Sequence, residues 1–286
     1  MKQRVAVVTD SSCEIPPAEA ARLNMSMAPV KFAFEQHAVA DGSLPWPAFY
    51  ARMTESGEPP QGFGTSEDSF IEAFAAARAI SDEVLCLLTP FDVSPSFTTA
   101  TAAALGSPAG SVRIENPGIA SAGLGALLLS ISAGVSAGLS RVELTDAIDR
   151  LEPMTETLFV PARLTWLERS GRLALIEDRL GSLAGMVPVL RVGTRLTGVT
   201  AAETHDAALA RAVELAGARA PAGTEFVALV AHAGVPDVAA SIQQRLRETW
   251  HVTHAVITDL TSTIGSQLGP GAIGIGLAPV AMPEEK

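Results

Sequence analysis

Residues 84–105 constrain the fold of this chain more than any other stretch. They open with the apolar run Val-Leu-Cys-Leu-Leu, which is long enough for a strand buried on both faces and too short for a helix. A loop of hydroxyl and proline residues follows, and residues 100–105 continue as a helix. In an open α/β sheet, this order places the hydroxyl groups beyond the carboxyl end of a strand and beside the free N–H groups of a helix. The stretch predicts a site for a carboxylate or a phosphate, unless Ser94 or Ser96 only caps the helix.

The same order of strand, polar turn and helix recurs in the first half of the chain. An apolar run at 5–8 leads into a polar turn at 9–12, and a helix with proline in its first turn begins near residue 16. Helices and strands continue to alternate as far as a strand predicted at 111–115. This alternation predicts a parallel sheet that is covered by helices on both faces.

The second half has a different pattern. Two short strands at 188–192 and 195–200 are separated by a glycine, as in a hairpin, and the later strands alternate with helices. We therefore predict an α/β protein with two domains. Residues 1–155 are expected to form a Rossmann-like parallel sheet with helices on both faces, and residues 156–286 an α+β domain with a mostly antiparallel sheet.

Three further predictions depend on where glycine and proline lie in the sequence. Residues 25–34 are expected to form one strand, and the Pro- and Gly-rich residues 59–64 a loop. Residues 264–276 form a Gly-rich closing segment for which no strand is predicted. Its residues 269–274 match the dinucleotide-binding glycine pattern by letter, but too little chain follows for a βαβ unit or an acidic ribose partner. No cofactor is therefore predicted.

Charge and cysteine content exclude some classes of protein. The net charge of −11 and the pI near 4.9 argue against binding nucleic acid, since phosphate neutralisation needs clustered Lys and Arg. The two cysteines, Cys13 and Cys86, have neither metal-site spacing nor the number expected of a disulfide framework, which indicates a reducing compartment. No apolar signal-peptide region precedes the first strand, so a cytoplasmic protein is expected.

The uncharged segment at 116–140 is long enough to span a membrane. Glycine and serine fill much of it, however, and a proline lies near its start. We therefore predict a buried helix of a soluble domain rather than an integral membrane segment. Its small residues would let it lie close against a sheet or a ligand tail.

Six blocks of sequence, in the same order and at similar spacing, resemble the DegV family of bacterial fatty-acid-binding proteins. The first block, at 5–16, reads Val-Ala-Val-Val-Thr-Asp-Ser-Ser-Cys-Glu-Ile-Pro. The other blocks are Asp41-Gly42, Thr65-Ser66, Ser94-Pro95-Ser96-Phe97, Ser170-Gly171-Arg172 ahead of Pro188, and Gly269-Pro270-Gly271-Ala272. The resemblance covers the whole chain, and six collinear blocks are hard to obtain by chance.

The resemblance implies a lipid carrier, not an enzyme, that holds one long-chain fatty acid in a tunnel between two domains. The implied ligand site comprises Thr65, Ser66, Ser94, Ser96, Gln267 and Arg172. Within it, Thr65 and Ser94 would bind the carboxylate. Arg172 would lie near the head group and near the surface where a partner kinase phosphorylates the carboxylate to an acyl phosphate. A bound fatty acid is thus expected, with no cofactor and no metal.

Two departures from the family pattern affect this site. Gln267 stands where the family commonly has histidine, and glutamine can donate a hydrogen bond but cannot carry a positive charge or move a proton. Pro95 replaces a glycine, which stiffens the turn and removes one N–H donor. We therefore expect a divergent member that binds a fatty acid but differs in chain-length preference or in coupling to the kinase.

The sequence leaves two other functions open. One is an α/β enzyme acting on a small carboxylated or phosphorylated substrate, which would need a short polar pocket and a base such as Asp10, Asp92 or a histidine. The other is a regulatory module that binds a partner and no ligand. The carrier hypothesis instead requires an aliphatic tunnel that ends at Thr65 and Ser94.

Overall fold

The structure, a computed structural model, describes residues 4–35, 37–91 and 93–282. The elements of the first half are β1 (Ala6–Asp10), a 3₁₀ turn (Ser11–Cys13), α1 (Pro17–Arg22), β2 (Ser26–Ala28), β3 (Val30–Phe34), β4 (His37–Ala40), α2 (Trp46–Ser56), β5 (Gln61–Thr65), α3 (Glu67–Ile80), β6 (Val84–Leu87), α4 (Ser96–Ala104), β7 (Val112–Glu115), α5 (Ser121–Ser136) and α6 (Arg141–Leu151). Those of the second half are β8 (Glu156–Val160), α7 (Thr165–Arg169), α8 (Leu173–Leu180), β9 (Val187–Val192), β10 (Leu196–Ala202), α9 (His205–Ala216), β11 (Glu225–His232), α10 (Pro236–Thr249), β12 (His251–Asp259), α11 (Ser262–Leu268) and β13 (Ile273–Pro279).

Four strands of the first half form a parallel sheet in the order β2-β1-β6-β7. Alternate residues of β1 enter different parts of the core, because successive side chains point to opposite faces of a sheet. Val8 packs with Phe70 and Phe74 of α3, whereas Val7 packs in the cluster that contains the leucines of α5. Both faces are covered by helices, which confirms the fold predicted for this half.

A small antiparallel sheet, in the order β4-β3-β5, was not predicted. Residues 25–34 form two strands instead of one, because Pro29 has no N–H to continue the pairing of β2 with β1. The chain then changes sheet, and β3 pairs with β4 and β5. The prediction of a loop at 59–64 was therefore wrong over the residues that form β5, where the backbone of Gly62 pairs opposite Phe32.

The second half forms a six-stranded sheet in the order β10-β9-β8-β13-β11-β12. All neighbouring strands are antiparallel except β11 and β12, which confirms the mostly antiparallel sheet and the hairpin of β9 with β10. The helix α8 had no counterpart among the predictions. The last strand, β13, lies at the centre of the sheet, although its sequence was interpreted as a Gly-rich segment without a strand.

Two positions of β13 require glycine, because other parts of the chain lie where a side chain would begin. A Cβ atom at Gly276 would be 1.8 Å from the carbonyl oxygen of Ala122 on α5, and one at Gly274 would be 2.3 Å from the ring of Phe159. No side chain fits at these distances. Glycine thus lets α5 pack closely on the middle of the six-stranded sheet.

The uncharged segment folds as the buried helix α5, as predicted, with fourteen of its sixteen residues buried. None of the helices in the described ranges is long and apolar enough to cross a membrane. Because α5 belongs to the first half and packs on the sheet of the second, the two halves share one core. The domain boundary at 155/156 and the cytoplasmic location stay predictions.

Candidate functional site

The turns after β1 and β6 lie side by side at the carboxyl end of the parallel sheet. Asp10 ends β1 and Thr89 follows β6, and the hydroxyl oxygen of Ser12 connects them at 2.5 Å from Asp10 Oδ1 and 2.9 Å from Thr89 Oγ1. The strand β5 ends at the same place, where Thr65 Oγ1 donates to Asp10 Oδ2 at 3.3 Å. The parallel strands β1 and β6 end at a common edge, and β5 of the small antiparallel sheet brings Thr65 to the same place.

Asp10 is the centre of this polar group and is fully buried. Its carboxylate accepts the backbone N–H of Ser12 at 3.1 Å, in addition to the hydroxyls of Ser12 and Thr65. Burial raises the pKa of Asp10 above its ordinary value, and hydrogen bonds from Ser12, Ser96 and Thr65 oppose that rise without cancelling it. Asp10 therefore binds a proton at higher pH than an exposed aspartate does.

The hydroxyls of the turn before α4 hydrogen-bond to one another. Ser94 Oγ donates to Ser96 Oγ at 3.0 Å and accepts the backbone N–H of Ser96 at 3.3 Å. The Ser96 side chain in turn acts on Asp10, where it opposes the rise in the pKa of that carboxyl group. Ser94 thus stabilises the start of α4 and is also linked, through Ser96, to the buried carboxylate.

A cavity of about 260 Å³ opens beside this polar group. Three parts of the chain line it: the small antiparallel sheet, the turn at 93–95, and α11. The hydroxyl and amide side chains in its wall are Ser94, Ser262, Thr263, Ser266 and Gln267, and its apolar side is formed mainly by Val30, Phe32, Phe63 and Val93. One wall is closed tightly, because a Cβ atom on Gly64 would lie 2.6 Å from the ring of Pro95.

A second cavity, of about 540 Å³, adjoins the first and shares Val93 and Gln267 with it. The helix α8 and the hairpin of β9 and β10 form its far wall, which includes Arg172, Leu175 and Leu196. Its lining mixes charged and apolar side chains. Gln267 and Val93 therefore stand between two neighbouring spaces, one polar and small, the other larger.

The helix that carries Gln267 begins against two further carboxyl groups, the buried Glu14 and the half-buried Asp41. Glu14 accepts the N–H of Thr261 at 2.6 Å and the hydroxyl of Ser121 at 2.7 Å, and burial raises its pKa to about 8. Asp41 accepts the hydroxyl of Ser11 at 2.6 Å, and burial raises its pKa to about 6 while Ser11 and then Ser262 oppose the rise. The start of α11 is thus held by the first turn of the chain.

The structure brings most of the predicted site residues together. Ser94 and Gln267 line the smaller cavity, Thr65 lies one residue beyond its lining residue Gly64, and Ser96 lies behind Ser94. Arg172 belongs to the second cavity, where it lines the same space as Gln267. Ser66 caps α3 by accepting the N–H of Ser69 at 3.4 Å. The roles of these residues toward a ligand stay predictions.

Sequence reasoning missed the central position of Asp10, which it considered as a possible base of an enzyme. Asp10 caps the 3₁₀ turn, and it also joins Thr65 and Ser96. A usable signal was present, because the polar turns after β1 and β6 follow adjacent strands of one parallel sheet. Asp92, one of the bases considered for an enzyme, lies outside the described residues. Within the described ranges, no three His, Cys, Asp or Glu side chains are grouped to hold a metal ion.

Comparison with known proteins identifies relatives over nearly the whole chain. The family model described as "uncharacterised protein, DegV family" matches residues 4–280. A DegV domain-containing protein of Streptomyces coelicolor is 25% identical over 278 residues, which cover 96% of this chain and 98% of the relative. Protein DegV of Bacillus subtilis is 27% identical over 279 residues, which cover 95% of this chain and 98% of that protein.

The fold is shared with a solved structure of a DegV family protein from Thermus thermophilus, for which fatty acid binding is described. The two chains are 25% identical and superpose with a TM-score of 0.86, over 97% of this chain and 100% of the other. Sheet order and helix positions are therefore similar along the full length.

Proposed function

The chain belongs to the DegV family, and from this premise we propose that it is a carrier that binds one long-chain fatty acid. One observation carries the proposal: Ser94 and Gln267 line a single cavity of about 260 Å³ at the end of β5, where Thr65 lies. The Thermus thermophilus relative of the same fold, with its fatty acid binding, supports this choice of ligand.

In this proposal the fatty carboxylate lies between Thr65 and Ser94, with Gln267 on the opposite wall. Hydrogen bonds to a charged group contribute about 1.5–3 kcal/mol each, so two hydroxyls orient the head group but cannot alone offset its burial. Ser96, which accepts the hydroxyl of Ser94, and Ser66, which caps the helix after Thr65, hold these two residues in position.

The alkyl tail supplies most of the proposed affinity. About fourteen methylene groups, at about 0.8 kcal/mol each, contribute about 11 kcal/mol against an association cost of several kcal/mol. The smaller cavity falls below the usual size of a ligand pocket, about 300–1,000 Å³. We propose that the tail continues past Val93 and Gln267 into the second space beneath α8, where Ile264 and Leu196 offer apolar contacts.

The proposed fate of the ligand is presentation to a partner kinase that forms the acyl phosphate. Arg172 is exposed at the start of α8 and lines the second cavity with Gln267, and a guanidinium is well suited to bind phosphate oxygens. Gln267 donates to the carbonyl oxygen of Thr263 at 3.0 Å and cannot transfer a proton. Phosphate transfer would then depend on Arg172 and on the kinase rather than on residue 267.

Native mass spectrometry of the purified protein, followed by extraction and identification of the released molecule, tests the proposal directly. We expect one fatty acid per chain. The double variant Thr65→Ala, Ser94→Ala should retain little of it, because neither hydroxyl can then donate to the carboxylate, which weakens binding by up to about a factor of 10². The control is Thr101→Ala, since Thr101 is exposed on α4 and bonds only within its own helix.

A protein that is purified without a ligand and also fails to take up added palmitate and oleate would contradict the proposed carrier function. A small carboxylated or phosphorylated molecule in the extract would favour the enzyme that the sequence left open, and no ligand of any kind would favour the regulatory module. Circular dichroism of each variant separates loss of binding from loss of folding.

A further inference from the structure

The hydroxyl groups proposed to bind the fatty carboxylate have their hydrogen atoms turned away from it. Thr65 Oγ1 donates its hydrogen to Asp10 Oδ2 at 3.3 Å. Ser94 Oγ donates to Ser96 Oγ at 3.0 Å, and the Ser96 side chain favours the ionised form of Asp10. Both routes end at the same buried carboxylate.

Counting hydrogens shows the consequence for a ligand. A hydroxyl group has one hydrogen, so Thr65 and Ser94 can offer a ligand only oxygen lone pairs while they donate elsewhere. The ionised Asp10 accepts from the N–H and the hydroxyl of Ser12 at Oδ1 and from the hydroxyl of Thr65 at Oδ2, and the Ser96 side chain also favours its ionised form. Three donors therefore already point at this carboxylate, two at Oδ1 and one at Oδ2. An incoming carboxylate would meet lone pairs, with a second buried negative charge directly behind them.

We propose that Asp10 takes up one proton when an anionic head group binds, and that this proton turns a hydroxyl hydrogen from Asp10 toward the ligand. This inference rests on the proposed function and assigns Asp10 as a positioning residue of the same site. The proton comes from solvent and bonds to a carboxylate oxygen of Asp10, which changes from acceptor to donor. The O–H of Asp10 then donates to Thr65 Oγ1, and the hydrogen of Thr65 is released to the ligand carboxylate.

One proton releases one hydroxyl. If the O–H of Asp10 donates to Ser96 instead, Ser96 donates to Ser94, and the hydrogen of Ser94 is released. In either case two carboxyl groups, one of the protein and one of the ligand, share a single added proton across a hydroxyl. This arrangement avoids two neighbouring buried negative charges, which is the usual reason that one of two close carboxyl groups is protonated.

The surroundings of Asp10 favour proton uptake. Asp41, Cys13 and Cys86 are the titratable groups that interact electrostatically with it, from the turn after β4, the 3₁₀ turn and β6, and Glu14 lies next to Cys13. All four are acids, and none of the ion pairs in the described ranges involves Asp10. Burial already raises the pKa of Asp10, and a bound anion would raise it further.

The variant Asp10→Asn tests the inference, because an amide N–H₂ donates to Thr65 permanently without a proton. For the natural protein, we expect the Kd for palmitate to rise by up to about tenfold per pH unit once the pH exceeds the pKa of Asp10. For D10N we expect a Kd that does not change with pH between 6 and 9 and that is lower than the natural value at pH 9.

The variant Glu14→Gln is the matched control. It removes another buried carboxyl group of the same turn, but Glu14 bonds Ser121 and Thr261 and none of the hydroxyls around Asp10. The pH dependence of palmitate binding should survive in E14Q. If E14Q abolishes it and D10N keeps it, the assignment to Asp10 is wrong.

Two measurements on the natural protein do not depend on whether D10N folds. Binding heats measured in buffers of different ionisation enthalpy should report uptake of up to one proton per palmitate above the pKa of free Asp10. The carboxyl carbon of ¹³C-labelled palmitate should give the chemical shift of an ionised group, since the proton lies on Asp10. Binding without proton uptake up to pH 9, or a bound ligand in its acid form, would overturn the inference and leave the proposed function intact. Failure to bind palmitate at any pH would instead reject the proposed function.

Discussion

Asp10 and Glu14 lie four residues apart on the same turn, both fully buried, and they differ in where their hydrogen-bond donors come from. The donors to Asp10 lie within residues 12–96, on turns around the smaller cavity. The donors to Glu14 are Ser121 and Thr261, which lie 107 and 247 residues further along the chain. Asp10 therefore joins turns that surround the smaller cavity to one another, whereas Glu14 joins the first turn of the chain to α5 and α11.

The difference shows that burial alone does not reveal what a carboxyl group does. Glu14 and Ser121 both adopt left-handed backbone conformations, with φ of 63° and 51°, which cost non-glycine residues about 1 kcal/mol each. Such strain persists only when surrounding contacts maintain it. We therefore expect substitutions of Glu14 to change stability, and substitutions of Asp10 to change ligand binding.

The largest effect should be a loss of stability as the pH rises. Glu14 has its pKa raised from 4.5 to about 8, so the folded protein binds a proton that the unfolded chain has already lost within this range. Its contribution is fully present below pH 4.5 and is lost as the pH approaches 8, at up to about 1.4 kcal/mol per pH unit, or about 5 kcal/mol in total. Urea unfolding from pH 5 to pH 9 measures it.

The variant Glu14→Gln separates this effect from that of Asp41, whose pKa is raised to about 6 and which acts in the same direction at lower pH. In E14Q the fall in stability between pH 6.5 and 8 should be clearly smaller than in the natural protein. A slope equal to that of the natural protein would show that Glu14 does not cause it.

Truncation of Glu14 should have the next largest effect. Glu14→Ala leaves the hydroxyl of Ser121 and the N–H of Thr261 without their acceptor in the core, so we expect a loss of about 3 kcal/mol in the free energy of unfolding at pH 7. Thermal and urea unfolding measure the change. The variant D10N keeps an acceptor for the N–H of Ser12 and should cost less than about 1 kcal/mol.

The smallest effect should follow from removing one donor. Ser121→Ala takes one hydrogen bond from Glu14 and keeps the bond from Thr261, so we expect a loss of about 1 kcal/mol with palmitate binding unchanged. Unfolding and binding assays on the same preparation test both parts. A larger change in binding than in stability would mean that Glu14 acts on the ligand site.

Much of the site could be predicted because its residues sit at recognisable ends of elements. Ser94 and Ser96 follow a buried strand and begin a helix, and Thr65 and Ser66 precede another helix, so local pattern alone indicates where they lie. The family resemblance added Gln267 and Arg172. Pattern could not indicate that Thr65 donates to Asp10, because that contact joins residues 55 apart across two different sheets.

The errors in the predicted fold have one physical origin. Glycine and proline were interpreted as signs of loops, yet Gly62 lies in β5, and Gly274 and Gly276 lie in the central strand β13. At Gly274 and Gly276, glycine is needed because another part of the chain occupies the space of a side chain. A single sequence does not show which neighbour that is, since the neighbour is 100 or more residues away.

The sequence by itself determined the parallel sheet of the first half, the buried helix α5 and the hydroxyl-rich helix starts, because these depend on residues close together in the chain. Only the tertiary structure decided that β13 lies at the centre of a sheet and that the hydroxyls of Thr65 and Ser96 meet at Asp10. The direction of a hydroxyl hydrogen depends on which acceptor is nearest in space. For that reason the sequence alone could not show that the hydroxyl of Thr65 donates to a buried carboxylate.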